Sequence, residues 1–374
     1  VIPNPCKIEG FFGRWDPEVE YFACASDVDP LSLRDLLELA DADTRALWNG
    51  LELGYTETTG HPLLREAIAD QYPETAATEV TVCAGGAVEA LFLLAHTLLG
   101  PGDHAVVVWP AFESLHRIAP SLGATITGVE LDADNGWRLD IDAVRKALQP
   151  NTRALFVNFP HNPTGALPSH AEFAELLAMA GDAGVTVVSD EVYRHLEYDD
   201  ADTLPAACDL DERAVSVGVM SKAYALAGLR IGWFATRNPA ITATARTLKD
   251  YTTVCSSAPA EILSLIALRA HDHLIERSRT IIKANLAHAE SFFGSHPDTF
   301  AWAAPAAGML AFPRLLLPVP VEDFVTDLVR DQRVLLLPGT VFDTTDNRFR
   351  VGLGRSALPQ AFERMEEFLT ARGH

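Results

Sequence analysis

The stretch Ala154-Leu155-Phe156-Val157-Asn158-Phe159-Pro160-His161-Asn162-Pro163-Thr164-Gly165 decides the fold. Its first half is apolar on consecutive positions, which suits a strand covered on both faces of a parallel sheet. Its second half is turn chemistry. Ser169 and Glu172 then form an S-x-x-E capping box after Pro168, opening a helix with Phe173, Leu176 and Leu177 on one face. A second apolar run, Val185-Thr186-Val187-Val188, leads into Ser189-Asp190-Glu191-Val192-Tyr193. Strand, helix and strand in that order make a β-α-β unit.

The same texture extends outward from this unit. Further runs lie at Glu79–Cys83, His104–Trp109, Ala124–Glu130, Ala214–Met220 and Leu229–Phe234, separated by helical windows. The pattern predicts an α/β class, with a mostly parallel sheet flanked by helices and ligand chemistry at the carboxyl ends of the strands. After about residue 250 a long helical stretch, Pro259 to Phe293, precedes short strand-like pieces at Met309–Phe312, Val334–Leu337 and Arg348–Leu353. A last helix spans Pro359 to Ala371. This is a second, smaller α+β lobe. The first 40 residues hold no complete β-α unit and are expected to pack with it. The expected division is a large domain over 45–250 and a small one built from 1–44 and 251–374.

With 374 residues, 48% hydrophobic and 21% charged, the chain is long enough for two lobes. A formal charge of −22 argues against nucleic acid and anionic membrane surfaces as partners. Five scattered cysteines without a C-x-x-C pair argue against a disulfide framework or a zinc site, so no metal is expected. No stretch reaches the ~20 apolar residues of a membrane span. The opening residues lack the pattern of a signal peptide, and the cytoplasm is the expected location.

Four segments carry candidate chemistry. Lys222, one of only 5 lysines beside 24 arginines, follows an apolar run in Met220-Ser221-Lys222-Ala223. A desolvated amine has a depressed pKa and becomes a nucleophile fit for a Schiff base; a surface lysine after a strand end is the plain alternative. Asn162 sits in a turn at a strand's carboxyl end, where its amide can meet a ligand oxygen. Asp190, at the next strand end, is placed to meet a buried cation or simply to cap the following segment. Cys83-Ala84-Gly85-Gly86-Ala87-Val88 joins a strand to a helix through two glycines and builds an anion-binding helix start.

Taken together in this order and spacing, these segments resemble the fold-type I pyridoxal-phosphate enzymes of the class I/II aminotransferase superfamily, from about Gly54 to the C-terminus. The resemblance implies a seven-stranded, mostly parallel sheet, a small domain from both termini, and a homodimer with shared active sites. It implies pyridoxal 5′-phosphate as cofactor, held as a Schiff base on Lys222, with Asp190 pairing the pyridine nitrogen. Tyr193 and Asn162 match the groups that bond the ring's phenolic oxygen, and Phe112 matches the ring stacked on the cofactor. Arg230 resembles the phosphate clamp, with Gly86, Ala87 and Val88 as the phosphate turn and Ser221 as a further contact. Tyr55 resembles the tyrosine that reaches the partner subunit's phosphate. Arg350 resembles the arginine that grips the substrate α-carboxylate, and Asn162 also lies on the substrate side. Alternation puts Arg348 on the same face as Arg350, so periodicity does not separate them. Val88 and Val219 stand where the family usually has hydroxyl residues, and weaker cofactor capture is expected.

The implied activity is transamination of an amino acid through a quinonoid, giving a keto acid and an aminated cofactor for a second substrate. The segments Asn158–Gly165 and Ser221–Trp233 also resemble the capreomycidine synthases, lyase-type cyclases that eliminate and close a ring on a hydroxylated arginine; arginine oxidases share the fold. The run Asp190-Glu191-Val192-Tyr193 keeps the Asp-Glu-x-Tyr pattern from which capreomycidine synthase departs, which favours transamination. A non-catalytic, cofactor-sensing transcription regulator would carry a fused DNA-binding domain and a basic segment, neither of which is evident. Acidic residues in Trp15-Asp16-Pro17-Glu18-Val19-Glu20-Tyr21 either face a cationic substrate or form a solvated helix face, the second being the expectation.

Overall fold

The computed structural model describes residues 3–15 and 18–374. Seven strands form the central sheet: β1 (Val80–Cys83), β2 (His104–Trp109), β3 (Thr125–Glu130), β4 (Thr152–Asn158), β5 (Thr186–Asp190), β6 (Val215–Val219) and β7 (Gly232–Ala235). Their order is β1-β7-β6-β5-β4-β2-β3. β7 runs antiparallel to both neighbours, and the other pairings are parallel. The sheet is therefore the mostly parallel, helix-flanked one expected from the alternating runs.

Alternation along each strand divides the core in two. Val106, Val108, Leu155, Val157 and Val187 join one apolar cluster, together with Phe173, Leu176 and Leu177 of the helix His170–Asp182. Ala105, Val107, Ala154, Phe156 and Val188 point to the other face and meet Leu91 and Leu94 of the helix Ala87–Leu98, and Ile241 of Pro239–Lys249. Both faces are covered over the middle of the sheet, which is why its inner strands read as runs of mostly apolar residues. Each fully buried Val, Leu, Ile or Phe among them stabilises the fold by about 1.5–3 kcal/mol. The helix His170–Asp182 begins as expected: Ser169 accepts from the Glu172 amide, and Glu172 accepts in return from the Ser169 amide.

Three expectations need correction. β3, at one edge of the sheet, is largely exposed, unlike β1 at the other edge. The run from Leu229 becomes a strand only at Gly232; Ala227–Leu229 is a short 3-10 turn, and Arg230 adopts a left-handed conformation with φ 55° that interrupts the extended chain. The long helical stretch is two helices, Ala258–Arg269 and His271–Ser295, broken at Ala270 where ψ swings to 25°. The first of these packs on the helices Leu33–Glu38, Ala42–Asn49 and Pro62–Ala69.

The segment after residue 20 lies along C-terminal elements. Tyr21 bridges Val334, the Gly352 amide donates to the Ala23 carbonyl at 2.8 Å, and the Asp29 amide donates to the Gly354 carbonyl at 2.9 Å. The strand Phe349–Gly352 is central in a three-stranded antiparallel sheet with Leu310–Ala311 and Leu337–Pro338. Gly352 permits the N-terminal segment to lie this close: a Cβ there would fall 1.9 Å from the Ala25 carbonyl oxygen. Among the described residues, no helix is long and apolar enough to cross a membrane.

Candidate active site

The sheet's topology gathers the site. β4, β5 and β6 are parallel, and their register pairs Asn158 with Asp190 and Asp190 with Val217, so their carboxyl ends share one edge. β7 runs the other way, so its start at Gly232 lies beside Val219 at the end of β6 and Cys83 at the end of β1. Phe112 (after β2), Asn162 (after β4), Asp190, Lys222 (after β6), the turn after β1 and Arg230 before β7 are thus carried to one rim.

Asn158 ties two of these segments together. Its amide nitrogen donates to the Asp190 carbonyl at 2.8 Å, and its side-chain oxygen accepts from the Asn162 amide at 2.8 Å. Asn162 is buried, and its Oδ1 accepts from Arg350 Nη1 at 3.1 Å. Arg350 itself is 2% exposed. Its Nε and Nη2 donate to the Cys24 carbonyl at 3.2 and 2.9 Å. Arg348, which periodicity left equivalent, goes elsewhere: it pairs with Asp346, donates to the Phe312 carbonyl at 3.2 Å, and lies over the Trp137 ring at 4.6 Å. Arg355 pairs with Asp27 and Asp29.

Asp190 is buried at 4% exposure, with Oδ1 accepting from the Val192 amide at 3.3 Å. It therefore makes the local cap that was its plainer role, and lies near enough to Lys222 for the two charges to act on each other. Burial pushes its carboxyl up to about 7, against the lowering effects of the Val192 amide and the Lys222 ammonium. Lys222 is half-buried, and burial draws its amine down to about 8; Asp27 and Asp190 oppose that shift, while Arg350 and Arg230 add to it. Its Nζ donates to Ser26 Oγ at 2.9 Å and lies 5.7 Å from the Tyr193 ring centroid. Tyr193 is buried, which raises its phenol's pKa.

At the far end of the rim, Gly86 (φ 74°) caps the helix Ala87–Leu98, whose first amides have no side-chain cap. Arg230 Nη2 donates to the Gly85 carbonyl at 3.0 Å, and a Cβ on Gly86 would meet that same nitrogen at 3.3 Å and Val219 Cγ2 at 3.5 Å. The left-handed turn at Arg230 is what aims its guanidinium here. Val219 thus stands at this turn with a methyl group, and Val88, 46% exposed, likewise offers no hydroxyl. Ser221 Oγ is buried without a partner among the described residues. Phe112 is partly buried between the two core clusters. Tyr55 is 94% exposed and makes no side-chain bond to the other site residues.

Ser26, Asp27 and Cys24 also enter this cleft. Nothing in their local sequence marks them; the only available sign is Gly352-x-Gly354, two glycines that let the backbone of residues 25–28 approach, with a Cβ on Gly354 falling 2.3 Å from the Asp27 carbonyl oxygen. Glu18 and Glu20 are exposed, Glu20 pairing with Arg333 at 3.6 Å, as a solvated face would be. Asp16 and Pro17 lie outside the described residues.

The chain matches the aminotransferase class I and II family over residues 27–362. Capreomycidine synthase of Streptomyces vinaceus is 32% identical over 293 residues, 78% of this chain and 74% of that protein. Aspartate aminotransferase of Geobacillus stearothermophilus is 28% identical, covering 89% of this chain and 88% of the other. Among solved structures, a PLP-dependent aminotransferase from Streptococcus suis superposes with a TM-score of 0.93 at 27% identity over 99% of both chains. The PLP-dependent cyclase OrfR superposes with a TM-score of 0.90 at 28% identity, covering 100% of this chain and 98% of its own.

The electrostatics yield a direct expectation. Ionised Asp190 stabilises the charged form of Lys222, so Asp190→Asn removes a negative charge that raises the amine's pKa. The variant's Lys222 is expected to titrate below about 8. The pH dependence of its chemical labelling measures this, and an upward shift would contradict the arrangement.

Proposed function

Because this chain belongs to the class I and II aminotransferases, a pyridoxal-phosphate-dependent family, we propose that it transfers the amino group of an amino acid, using Lys222 as the cofactor-bearing amine. One observation carries the reading: a buried acid, a half-buried amine of lowered pKa and a buried guanidinium meet at one strand rim as Asp190, Lys222 and Arg350.

The residues fit the cofactor. Gly86 leaves the space a side chain would fill, the amides of Ala87 and Val88 are uncapped, and Arg230 stands beside them, so this end takes a phosphate. The partnerless hydroxyl of Ser221 supplies a further donor. Two hydroxyls are replaced by Val88 and Val219, and we expect weaker phosphate capture than a Ser or Thr pair would give. Asp190 supplies the negative charge that keeps a pyridine nitrogen protonated, Tyr193 and Asn162 offer hydrogen bonds to a phenolic oxygen, and Phe112 offers a flat face.

When bound, pyridoxal phosphate supplies an electron sink that makes the Cα–H of an attached amino acid acidic. The chain's own groups do the rest. Lys222, with its amine drawn down to about 8, is suited to take the Cα proton and hold it at Nζ. Arg350 offers Nη1 and Nη2 to a planar carboxylate, a geometry a lysine does not reproduce. Burial of Arg350 and Asn162 keeps water from competing for that carboxylate.

We further assign the working form as a homodimer. Tyr55, Leu53 and Tyr251 are 94%, 84% and 88% exposed, large apolar groups whose solvation a second copy would relieve, with Tyr55 reaching the neighbouring site.

A second reading is elimination with ring closure. Its support is the likeness to capreomycidine synthase and to the cyclase OrfR, together with Asp27, whose negative charge acts on Lys222 and Arg350 and suits a cationic side chain. Retention of Asp190-Glu191-Val192-Tyr193 favours transfer. Single-turnover reaction with a panel of amino acids separates the two: transfer is expected to give a keto acid and one equivalent of aminated cofactor. Loss of water or ammonia without keto acid would replace it with the second reading.

Arg350→Lys is expected to lower kcat/KM for amino acids by roughly 100-fold, the order of about 3 kcal/mol for a charged, two-pronged contact, with the cofactor spectrum unchanged. Arg348→Lys, beside Trp137, is expected to leave kcat/KM within about threefold. Steady-state kinetics on both variants decides; a defect confined to Arg348 would reverse the assignment.

A further inference from the structure

The N-terminal segment brings a hydroxyl to the working amine from 196 residues away in sequence: Lys222 Nζ donates to Ser26 Oγ at 2.9 Å. Tyr193 is drawn into the same group. Burial raises its phenol's pKa, an effect that Ser26 opposes, and its ring centroid lies 5.7 Å from Lys222 Nζ. Ser26 therefore bonds the amine where the Tyr193 ring also lies close to it.

Its position is set by the element that carries Arg350. The Cys24 carbonyl, two residues before Ser26, accepts from Arg350 Nε and Nη2. On either side of Ser26, the Ala23 carbonyl accepts from the Gly352 amide at 2.8 Å, and the Asp29 amide donates to the Gly354 carbonyl at 2.9 Å. The Ala25 carbonyl fills the space that a side chain on Gly352 would need. Residues 23–29 are thus fastened on both flanks of Ser26 to the chain around Arg350. A serine placed this way is tethered to the chain that carries the guanidinium.

We propose that Ser26 is a positioning residue, whose hydroxyl receives the Lys222 amine whenever that amine is free and holds it beside Tyr193. Its placement is coupled to Arg350 through the Cys24 carbonyl. The inference rests on Lys222 being the cofactor-bearing amine. It gives the N-terminal segment a specific role in the reaction. A carboxylate that settles on Arg350 fixes, through two residues of backbone, the acceptor that orients the proton-carrying amine. No bond to carbon is made or broken by Ser26. The proton removed from Cα goes to Lys222 Nζ, and the serine oxygen accepts a hydrogen bond from that nitrogen before and after.

The test uses the full chain and Ser26→Ala, with Ser26→Thr as the rescue and Ser26→Gly as a second hydroxyl deletion should the alanine variant not fold. In the loaded enzyme, S26A is expected to slow the proton-transfer half-reaction roughly tenfold, the order for loss of one hydrogen bond to an ionisable group. The α-deuterium isotope effect should rise, KM should stay within about twofold, and S26T should restore the rate. Without cofactor, reductive methylation of Lys222 followed by NMR titration should show its pKa about one unit lower in S26A, since the hydroxyl stabilises the ammonium form. An unchanged Lys222 titration together with an unchanged isotope effect in S26A would overturn the proposal while leaving Lys222 as the cofactor-bearing amine. Hydride fixation of the cofactor on a different lysine would instead overturn the functional reading on which the proposal rests.

Discussion

Burying a carboxyl group at the end of a β-strand carries a desolvation cost, and the cleft is organised around one that is kept. Asp190 is enclosed, accepts from the Val192 amide, and has a pKa raised to about 7 by burial. A group held in that state is poised to ionise when a cation arrives. Lys222 already opposes that rise, and a protonated ring nitrogen is the further cation the family's cofactor would add. The surrounding parts keep Asp190 at this depth: Asn158 clamps its carbonyl from one side, and the parallel pairing with Val217 holds the other.

The remaining geometry follows from a single reversal in the sheet. β7 enters between β1 and β6 against the direction of both, so a chain leaving Lys222 turns back with Arg230 at its head and delivers it to the turn after β1. The Arg230–Gly86 end and the Lys222 end of the site are therefore separated by one short excursion, residues 220–231. Arg230's left-handed backbone is the local strain at this turn, and it aims the guanidinium at Gly85 and Gly86.

Most of this was legible in the sequence, for a physical reason. Strands covered on both faces are mostly apolar on consecutive positions, so β2, β4, β5 and β6 were legible. The polar residues that end them, Asn158 and Asp190, marked the rim at which chemistry collects. β3 was legible as a strand but not as an exposed edge, since its neighbours are not encoded locally. The break at Ala270 was hidden because neither glycine nor proline marks it. Arg348 and Arg350 share a periodicity, and only tertiary contacts, Trp137 with Asp346 for one and Asn162 with Cys24 for the other, tell them apart. Ser26 and Asp27 were invisible for the same reason: they reach the cleft through a backbone contact with Gly352 and Gly354, at the other end of the chain.

Everything in the functional account passes through the amine of Lys222. The most direct measurement is borohydride reduction of the cofactor-loaded chain, followed by digestion and mass mapping of the fixed cofactor. The account predicts one modified peptide, containing Lys222. Modification at Lys7, Lys146, Lys249 or Lys283, with Lys222 untouched, would contradict it.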